Sequence, residues 1–294
     1  MDDKRIMISL EQYRANFNKG LKSLYDNREI ENILKLIVKA YFGWDSTFFA
    51  LNKHRLLNEN EYNKLKNALI ILERGKPVQY LLNESEFMGN VFYVNQSVLI
   101  PRPETEELVD LILTENSPTK NNPLKVLDIG TGSGCIAISI AKFNPYFQVD
   151  AIDLSSQALS AAKINSKLMG VKINLKKTNI LKIKKFNKDY DIIVSNPPYI
   201  ELNEKNRMSK NVVDYEPHEA IFVTYHDPLI YYKKIILLAQ QMKKNNSKIY
   251  FEINPKFCGD LKKYFLTTSF NDVVVQCDIF GKERMIKATN KHNE

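Results

Sequence analysis

The chain has 294 residues, 44% of them hydrophobic, which is enough for two domains with buried cores. Its formal net charge of +8 favours an acidic partner such as RNA, DNA or a ribosome-associated factor, although abundant lysine also arises from genome-wide codon bias. Three cysteines without framework spacing argue against a disulfide scaffold and predict a cytoplasmic location. The sequence shows no signal peptide, no membrane-spanning apolar run and no zinc-ligand spacing, so neither a membrane nor a metal is expected.

Residues 1–82 predict a small helical domain. Apolar side chains recur three or four positions apart, which is typical of one buried helix face. Four helices are expected, the first through Leu10, Tyr13, Phe17 and Leu21 and the second over about residues 29–42. The residues predicted to begin or end these helices are Ser9, Gly43, Asp45, Asn58 or Asn60, and Gly75. Because no chemistry-bearing cluster occurs here, this segment is expected to grip a partner.

Residues 83–100 change from helical spacing to alternation, which predicts a β-hairpin linking two domains. The dipeptide Gly89-Asn90 is a turn signal within it. Pro103 then suits the first turn of a helix over about residues 104–113.

Residues 101–294 alternate between apolar runs and amphipathic segments, which predicts an α/β domain with a mainly parallel sheet. Two strands that follow one another directly predict an antiparallel hairpin at the sheet edge. The predicted strands are 125–129, 148–152, 173–175, 192–195, 249–253, 273–277 and 283–287, and the helices are 136–143, 157–169 and 228–242.

A glycine-rich segment follows the strand predicted at residues 125–129. Glycines let a ligand approach the backbone, and open α/β sheets bind ligands beyond the carboxyl ends of their strands. Asp153 ends the next strand, where its carboxylate can accept both ribose hydroxyls of a nucleoside. The predicted cofactor-binding residues here are Asp128, Gly130, Thr131, Gly132, Ser133, Gly134 and Asp153.

The identity of the cofactor is ambiguous from this loop alone. Gly132 to Ala137 also fits the dinucleotide fingerprint G-x-G-x-x-A, and a tight turn with no ligand is a further alternative. Asp128 favours S-adenosylmethionine, because it can orient the loop or hold the ammonium of the methionine moiety. A second motif also favours the methyl donor, because it has no use in hydride transfer.

That second motif is Asn196-Pro197-Pro198-Tyr199, at the end of a buried strand. The prolines stiffen the turn and restrict the residues before them. The Asn196 side chain and the Pro197 carbonyl would then present two oxygen acceptors to a planar –NH2 group, on which Tyr199 would stack. The four residues are predicted to bind substrate, with Asn196, Pro197 and Tyr199 catalytic and Asn196 also near the cofactor.

The chemistry of an amide or aromatic amine requires such a grip, since its nitrogen lone pair is delocalised. Two acceptors can position the nitrogen and stabilise the positive charge that develops on it. No strong base is needed, because the proton can leave after methyl transfer. By itself the motif does not separate adenine from glutamine.

Asn179 and Ile180 lie at the end of another predicted strand. Asn179 could accept from the amino group of adenine while Ile180 packs on the ring. A solvated loop asparagine is an equal alternative.

The chain resembles the release factor glutamine methyltransferases of bacteria, the HemK/PrmC group. The matching segments are Val98 to Glu106, Asp128 to Gly134, Asp153, Asn196 to Tyr199, Tyr215 to Pro217 with Ala220, and Phe280 to Arg284. The resemblance implies a Rossmann-like class I methyltransferase domain at residues 101–294, with a seven-stranded sheet. It also implies that residues 1–82 recognise class I peptide chain release factors, and that the methylated atom is the side-chain amide nitrogen of the glutamine in their Gly-Gly-Gln motif.

Related enzymes offer alternatives. Ribosomal-protein glutamine methyltransferases typically read Pro-Arg-Ser where this chain has Pro101-Arg102-Pro103, and DNA adenine methyltransferases lack this linker. Two further alternatives remain open: a methyltransferase that acts on an amine of a nucleic acid, and a binding module without activity. The preferred interpretation is a monomer that does not bind nucleic acid directly. The chain departs from the family pattern at Asn83, Thr224 to Pro228, Asn254 and Phe257, which puts loop conformations in doubt.

Overall fold

The computed structural model describes residues 8–223 and 227–290. These residues form two compact units. The first comprises the chain up to Asn83 together with Ser209–Tyr215, and the second comprises Glu84–Met208 and the chain from Glu216 onward. The functional boundaries expected near residues 82 and 100 stay predictions.

The elements, in chain order, fall into α-helices, two short 3-10 helices and β-strands. The α-helices are α1 (Leu10–Leu21), α2 (Asn27–Phe42), α3 (Ser46–Leu51), α4 (Glu59–Glu73), α5 (Val78–Leu82), α6 (Pro103–Glu115), α7 (Cys135–Phe143), α8 (Ser156–Leu168), α9 (Lys210–Tyr215), α10 (His218–Ile221), α11 (Ile230–Ala239) and α12 (Cys258–Phe265). The 3-10 helices are Leu202–Arg207 and Pro255–Phe257. The strands are β1 (Glu84–Phe87), β2 (Asn90–Tyr93), β3 (Leu124–Ile129), β4 (Phe147–Asp153), β5 (Asn174–Lys177), β6 (Ile192–Ser195), β7 (Ile200–Glu201), β8 (Phe222–Val223), β9 (Lys248–Glu252), β10 (Asp272–Cys277) and β11 (Glu283–Thr289).

The first unit is a helical bundle, and its helix ends follow local sequence. Ser9 begins α1 through a capping box with Gln12, and Gly43 ends α2 in the left-handed conformation at φ 71°. Asp45 and Asn58 cap α3 and α4 with their side chains. These caps confirm the predicted helix ends. The core of the bundle is formed by residues such as Leu10, Phe17, Leu21, Ile30, Ile37, Leu65 and Leu72.

The second unit is built on a seven-stranded sheet with the strand order β10-β11-β9-β6-β3-β4-β5. Strands β9, β6, β3, β4 and β5 are parallel, whereas β11 runs antiparallel to both of its neighbours. Consecutive residues of β3 enter different cores, since Val126 packs on one face and Leu127 on the other. The mainly parallel sheet and its antiparallel edge hairpin are therefore confirmed.

The turn of the first hairpin differs from the prediction by one residue. Phe87 pairs with Asn90, so the two central turn residues are Met88 and Gly89, at φ 50° and 67°. A two-residue turn with positive φ at both positions matches the twist of its strands. Asn90 instead begins β2 and donates from its side chain to the Met88 carbonyl at 2.8 Å.

Three departures from the family pattern have a local explanation. Asn83 ends α5 in the left-handed conformation at φ 57°, which asparagine tolerates better than most residues. Asn254 has φ −76°, where no glycine is needed, and it caps the following 3-10 helix. Phe257 packs against the core of the second unit. The departure that begins at Thr224 lies largely outside the described residues.

Among residues 8–223 and 227–290, no helix combines the length and the apolar character required to cross a bilayer.

Candidate functional site

A cavity of about 370 Å³ lies at the edge of the sheet where β3, β4 and β6 end. This is the edge at which open α/β sheets bind ligands, and the volume suits a small molecule. Most of the predicted site residues line it: Gly130, Thr131, Gly132, Ser133, Asp153, Asn179, Ile180, Asn196, Pro197 and Pro198. Asp128, Gly134 and Tyr199 do not.

The glycine loop after β3 contains two kinds of glycine. Gly130 and Gly132 have φ of 77° and 55°, and a Cβ added to either would meet no atom within 4 Å. Gly134, at φ 82°, instead allows α7 and α8 to pack closely. A Cβ at this position would lie 2.8 Å from Ile138 Cδ1 in α7 and 3.1 Å from Ala162 Cβ in α8. The first two glycines therefore leave the backbone open to a ligand, and the third has a packing role.

Asp128 is completely buried beneath this loop. Its Oδ2 accepts a 2.6 Å hydrogen bond from the Thr131 hydroxyl, and its Oδ1 has no hydrogen-bond partner in the described residues. Burial raises the pKa of Asp128 to about 7. A cation bound in the adjacent cavity would favour the ionised form of this carboxyl through its charge, which is compatible with a cofactor that carries an ammonium.

Asp153 ties the glycine loop to the end of β4. Its Oδ2 accepts from the Gly132 backbone N–H at 2.9 Å, and its Oδ1 accepts from the Ser155 N–H at 2.8 Å. Burial raises the pKa of this carboxyl as well. The carboxylate is thus held in one orientation at the cavity wall, with lone pairs left over for two hydroxyls.

Asn179 and Ile180 lie side by side on the cavity wall. Asn179 Oδ1 already accepts from the Leu181 N–H at 2.9 Å, so an adenine amino group would use the second lone pair of that oxygen. Ile180 is buried and belongs to the core behind it.

Asn196 is anchored through its amide nitrogen. Nδ2 donates to Glu252 Oε2 at 2.9 Å and to Thr105 Oγ1 at 3.2 Å. The ionised form of Glu252 can only accept, so Nδ2 faces Glu252 and Oδ1 faces away. In the described residues, neither Asn196 Oδ1 nor the Pro197 carbonyl oxygen accepts a hydrogen bond, which leaves two acceptors at the cavity.

Glu252 is a site residue that sequence reasoning missed. Its side chain is buried and also accepts from the Tyr199 hydroxyl at 3.0 Å and from the Thr105 hydroxyl at 2.6 Å. Burial raises its pKa. The sequence held one indication of this role, because Glu252 lies near the end of an apolar segment predicted to be a strand. The carboxyl ends of neighbouring parallel strands meet at one edge of a sheet, so Glu252 could have been expected near Asn196.

A second unpredicted contact joins two segments of the family motif. Arg102 Nη2 lies 2.5 Å from Glu216 Oε1, and the Ile100 N–H donates to the same carboxylate at 3.2 Å. The Glu216 side chain is only 1% exposed. Because Ile100, Arg102 and Pro217 all line the cavity, this pair holds one of its walls.

Tyr199 is placed differently from its neighbour Pro198. Its hydroxyl donates to Glu252, and the residue lines a separate cavity rather than the first one. The predicted stacking of this ring on a substrate stays a prediction.

No group of three or more His, Cys, Asp or Glu side chains in the described ranges is arranged to hold a metal ion.

Comparison with known proteins identifies the class of this fold and site. The family model described as the methyltransferase small domain matches residues 109–215. A solved methyltransferase from Pyrococcus furiosus superimposes with a TM-score of 0.51 at 16% identity, over 77% of this chain and all of that one. The fold of the second unit is therefore that of a methyltransferase domain.

Longer matches narrow this class. Proteins named release factor glutamine methyltransferase are 43% identical in Flavobacterium psychrophilum and 38% identical in Bacteroides thetaiotaomicron. Each alignment covers 95% of this chain, and 98% and 99% of the relative. The model of the PrmC N-terminal domain matches residues 15–82. The chain belongs to the release factor glutamine methyltransferase family.

Proposed function

We propose that this chain transfers a methyl group from S-adenosylmethionine to the side-chain amide nitrogen of the glutamine in the Gly-Gly-Gln motif of class I release factors. The observation that carries the proposal is the orientation of Asn196. Its nitrogen is fixed on Glu252, so its oxygen and the Pro197 carbonyl are left as a pair of acceptors. The names of the full-length relatives support the choice of substrate.

The cavity residues suit this cofactor. S-adenosylmethionine supplies an electrophilic methyl group and carries positive charge when bound. Gly130 and Gly132 leave their backbone open, Asp153 offers a fixed carboxylate for ribose hydroxyls, and Glu219 adds a second acid to the lining. Asp128 adds a buried oxygen without a partner.

The chain's own residues then act on the amide by positioning. Asn196 Oδ1 and the Pro197 carbonyl accept the two amide hydrogens, which turns the nitrogen lone pair out of conjugation and toward the methyl group. The same acceptors stabilise the positive charge that grows on nitrogen. One amide proton leaves to water after the carbon–nitrogen bond has formed, so no general base is required.

Recognition of the release factor is proposed for residues 1–82, acting with the site as a monomer in the cytoplasm. The match of the PrmC N-terminal domain to residues 15–82 supports a dedicated domain there. The three free cysteines are consistent with a reducing compartment.

Mass spectrometry of the Gly-Gly-Gln peptide, after incubation of a release factor with the chain and S-adenosylmethionine, tests the proposal. We expect one added methyl on the glutamine, and none on DNA or RNA under the same conditions. Asn196→Ala should abolish transfer while calorimetry still detects cofactor binding, and Asp153→Ala should weaken that binding. An unmodified glutamine, or strong incorporation into nucleic acid, would contradict the proposal.

A further inference from the structure

A second cavity, here called the basic cavity, adjoins the Asn-Pro-Pro-Tyr loop. Tyr199, Glu204 and Arg207 line it from the segment after β6, Asn254 lines it from the turn after β9, and Lys282 and Arg284 line it from the β10–β11 hairpin. Pro198 lines the first cavity and Tyr199 lines this one, so two consecutive residues separate them. The two cavities therefore adjoin the same loop, which also carries the acceptors of Asn196 and Pro197.

The charges of the basic cavity are unbalanced. Its lining includes three cations and one acid. Arg284 faces the buried Asp278, with Nε 3.5 Å from Oδ2. The acid, Glu204, lies 3.8 Å from Lys256 Nζ, and Lys256 also pairs with Glu201.

Arg207 and Lys282 have no such compensation. Neither side chain forms an ion pair within residues 8–223 and 227–290, and both are exposed. The backbone of Lys282 is nevertheless held in a hydrogen-bonded turn. The Lys282 N–H donates to Asp278 Oδ1 at 2.9 Å, and the Lys282 carbonyl accepts from the Asp278 N–H at 2.8 Å. Arg207 and Lys282 are thus two exposed cations without an ion-pair partner in the lining of one cavity, and their charge favours a bound anion.

The surroundings favour a polypeptide over a nucleic acid as the source of that anion. Ile200, Met208 and Pro255 add apolar surface to the lining. The turn before Lys282 exposes Ile279 and Phe280, which are 76% and 72% accessible. Large exposed apolar side chains beside a polar cavity are typical of protein interaction sites, whereas phosphate binding relies on a denser basic stripe.

We propose that the basic cavity binds the carboxylate of an acidic side chain on the protein substrate, close in space to the methylated glutamine. This inference rests on the proposed function and adds a specificity determinant to it. The contact would help to hold the glutamine loop against Tyr199 without touching the reacting atoms. It should therefore act on the affinity for the release factor and leave the chemical step unchanged.

Charge reversal of Arg207 and Lys282 tests this assignment with intact release factor as substrate. The Arg207→Glu, Lys282→Glu double variant should raise the KM for the release factor at least about tenfold, with kcat and the calorimetric Kd for S-adenosylmethionine within about twofold of the unchanged chain. The matched control is the Lys120→Glu, Lys185→Glu double variant. It changes the net charge by the same amount, at two exposed positions that line neither cavity. Lys282→Arg should retain the original KM.

A charge swap then identifies the partner. Acidic residues around the glutamine loop of the release factor are replaced by lysine one at a time, and one replacement should lower the KM of the double variant. A KM that stays within twofold of the control would overturn the proposal, as would a raised KM that no lysine replacement lowers. Competition by homopolymeric RNA that disappears in the double variant would assign the cavity to phosphate and overturn it too.

Failure of this inference is distinct from failure of the proposed function. If the proposed function is wrong, the unchanged chain will leave the glutamine unmethylated. If only the carboxylate site is wrong, the variants will methylate the glutamine with an unchanged KM.

Discussion

Asn196 and Glu252 are joined by a hydrogen bond of 2.9 Å between Asn196 Nδ2 and Glu252 Oε2. Each residue stands at or just beyond the carboxyl end of its strand, and the parallel register of β6 and β9 pairs Ser195 with Phe251 directly before them. The bond decides which atom of Asn196 faces the cavity. A buried carboxylate thus leaves an oxygen acceptor at this point of the cavity lining.

Glu252→Gln should slow methyl transfer by about a hundredfold, because the neutral side chain can no longer accept from both Asn196 and Tyr199 and the Asn196 amide loses its fixed orientation. Single-turnover kinetics measure this effect, and the Kd for S-adenosylmethionine should change less than about threefold.

Glu115→Gln is the matched control, since Glu115 also accepts from a tyrosine hydroxyl, that of Tyr250 at 2.7 Å, but does not line the cavity. An equal loss of rate in both variants would mean that Glu252 acts through general stability.

The affinity for S-adenosylmethionine should rise with pH and level off above about 7. Below its raised pKa of about 7, Asp128 holds a proton in the free protein. A bound ammonium favours the ionised carboxylate, so binding must release this proton. Below the pKa of Asp128, the affinity therefore rises by up to about tenfold for each pH unit. Calorimetry between pH 5.5 and 8.5 measures the trend.

Asp128→Asn should flatten this part of the pH dependence, and any titration of the ligand itself remains in both proteins and cancels in the comparison. Identical pH profiles for the two proteins would exclude proton release from Asp128.

Gly134→Ala should destabilise the chain by about 2–4 kcal/mol. The left-handed φ of 82° costs about 1–2 kcal/mol for a residue with a Cβ, and the new methyl would press on Ile138 and Ala162. Urea unfolding followed by circular dichroism measures the change.

Gly259→Ala is the contrasting variant. Gly259 lies in α12 with helical φ, and an added Cβ would meet nothing within 4 Å, so we expect a gain of about 0.5–1 kcal/mol. A neutral Gly134→Ala would disprove the packing role of that glycine.

Arg102→Ala should cost about 2–4 kcal/mol of unfolding free energy, because it leaves the Glu216 carboxylate buried without its cation. The Arg102 side chain is 33% exposed, which places the cost toward the lower end. A double variant with Glu216→Gln should recover part of the loss, since it removes the stranded charge.

Lys233→Ala provides the comparison for an exposed pair. Lys233 and Asp227 lie 2.7 Å apart with side chains 37% and 41% exposed, so the loss should stay below about 1 kcal/mol. Equal effects at Arg102 and Lys233 would show that burial of Glu216 does not matter.

The sequence by itself determined the local structure. Ser9, Asp45 and Asn58 cap helices through hydrogen bonds that span three residues, and Gly43 ends one by its own backbone freedom. Apolar runs likewise placed the central strands β6 and β9, because a parallel strand that is buried on both faces reads as a near-continuous apolar run. Ten of the predicted site residues could be placed at one sheet edge for the same reason, since they follow strand ends.

Only the tertiary structure decided which polar groups meet. Glu252 lies 147 residues along the chain from Thr105 and 56 from Asn196, and Glu216 lies 114 residues from Arg102. Strand order and register set these meetings, and both depend on the packing of the whole sheet, which no local pattern encodes. The Asn-Pro-Pro-Tyr motif was therefore legible in the sequence, whereas the carboxylate that orients its asparagine became visible only in the fold.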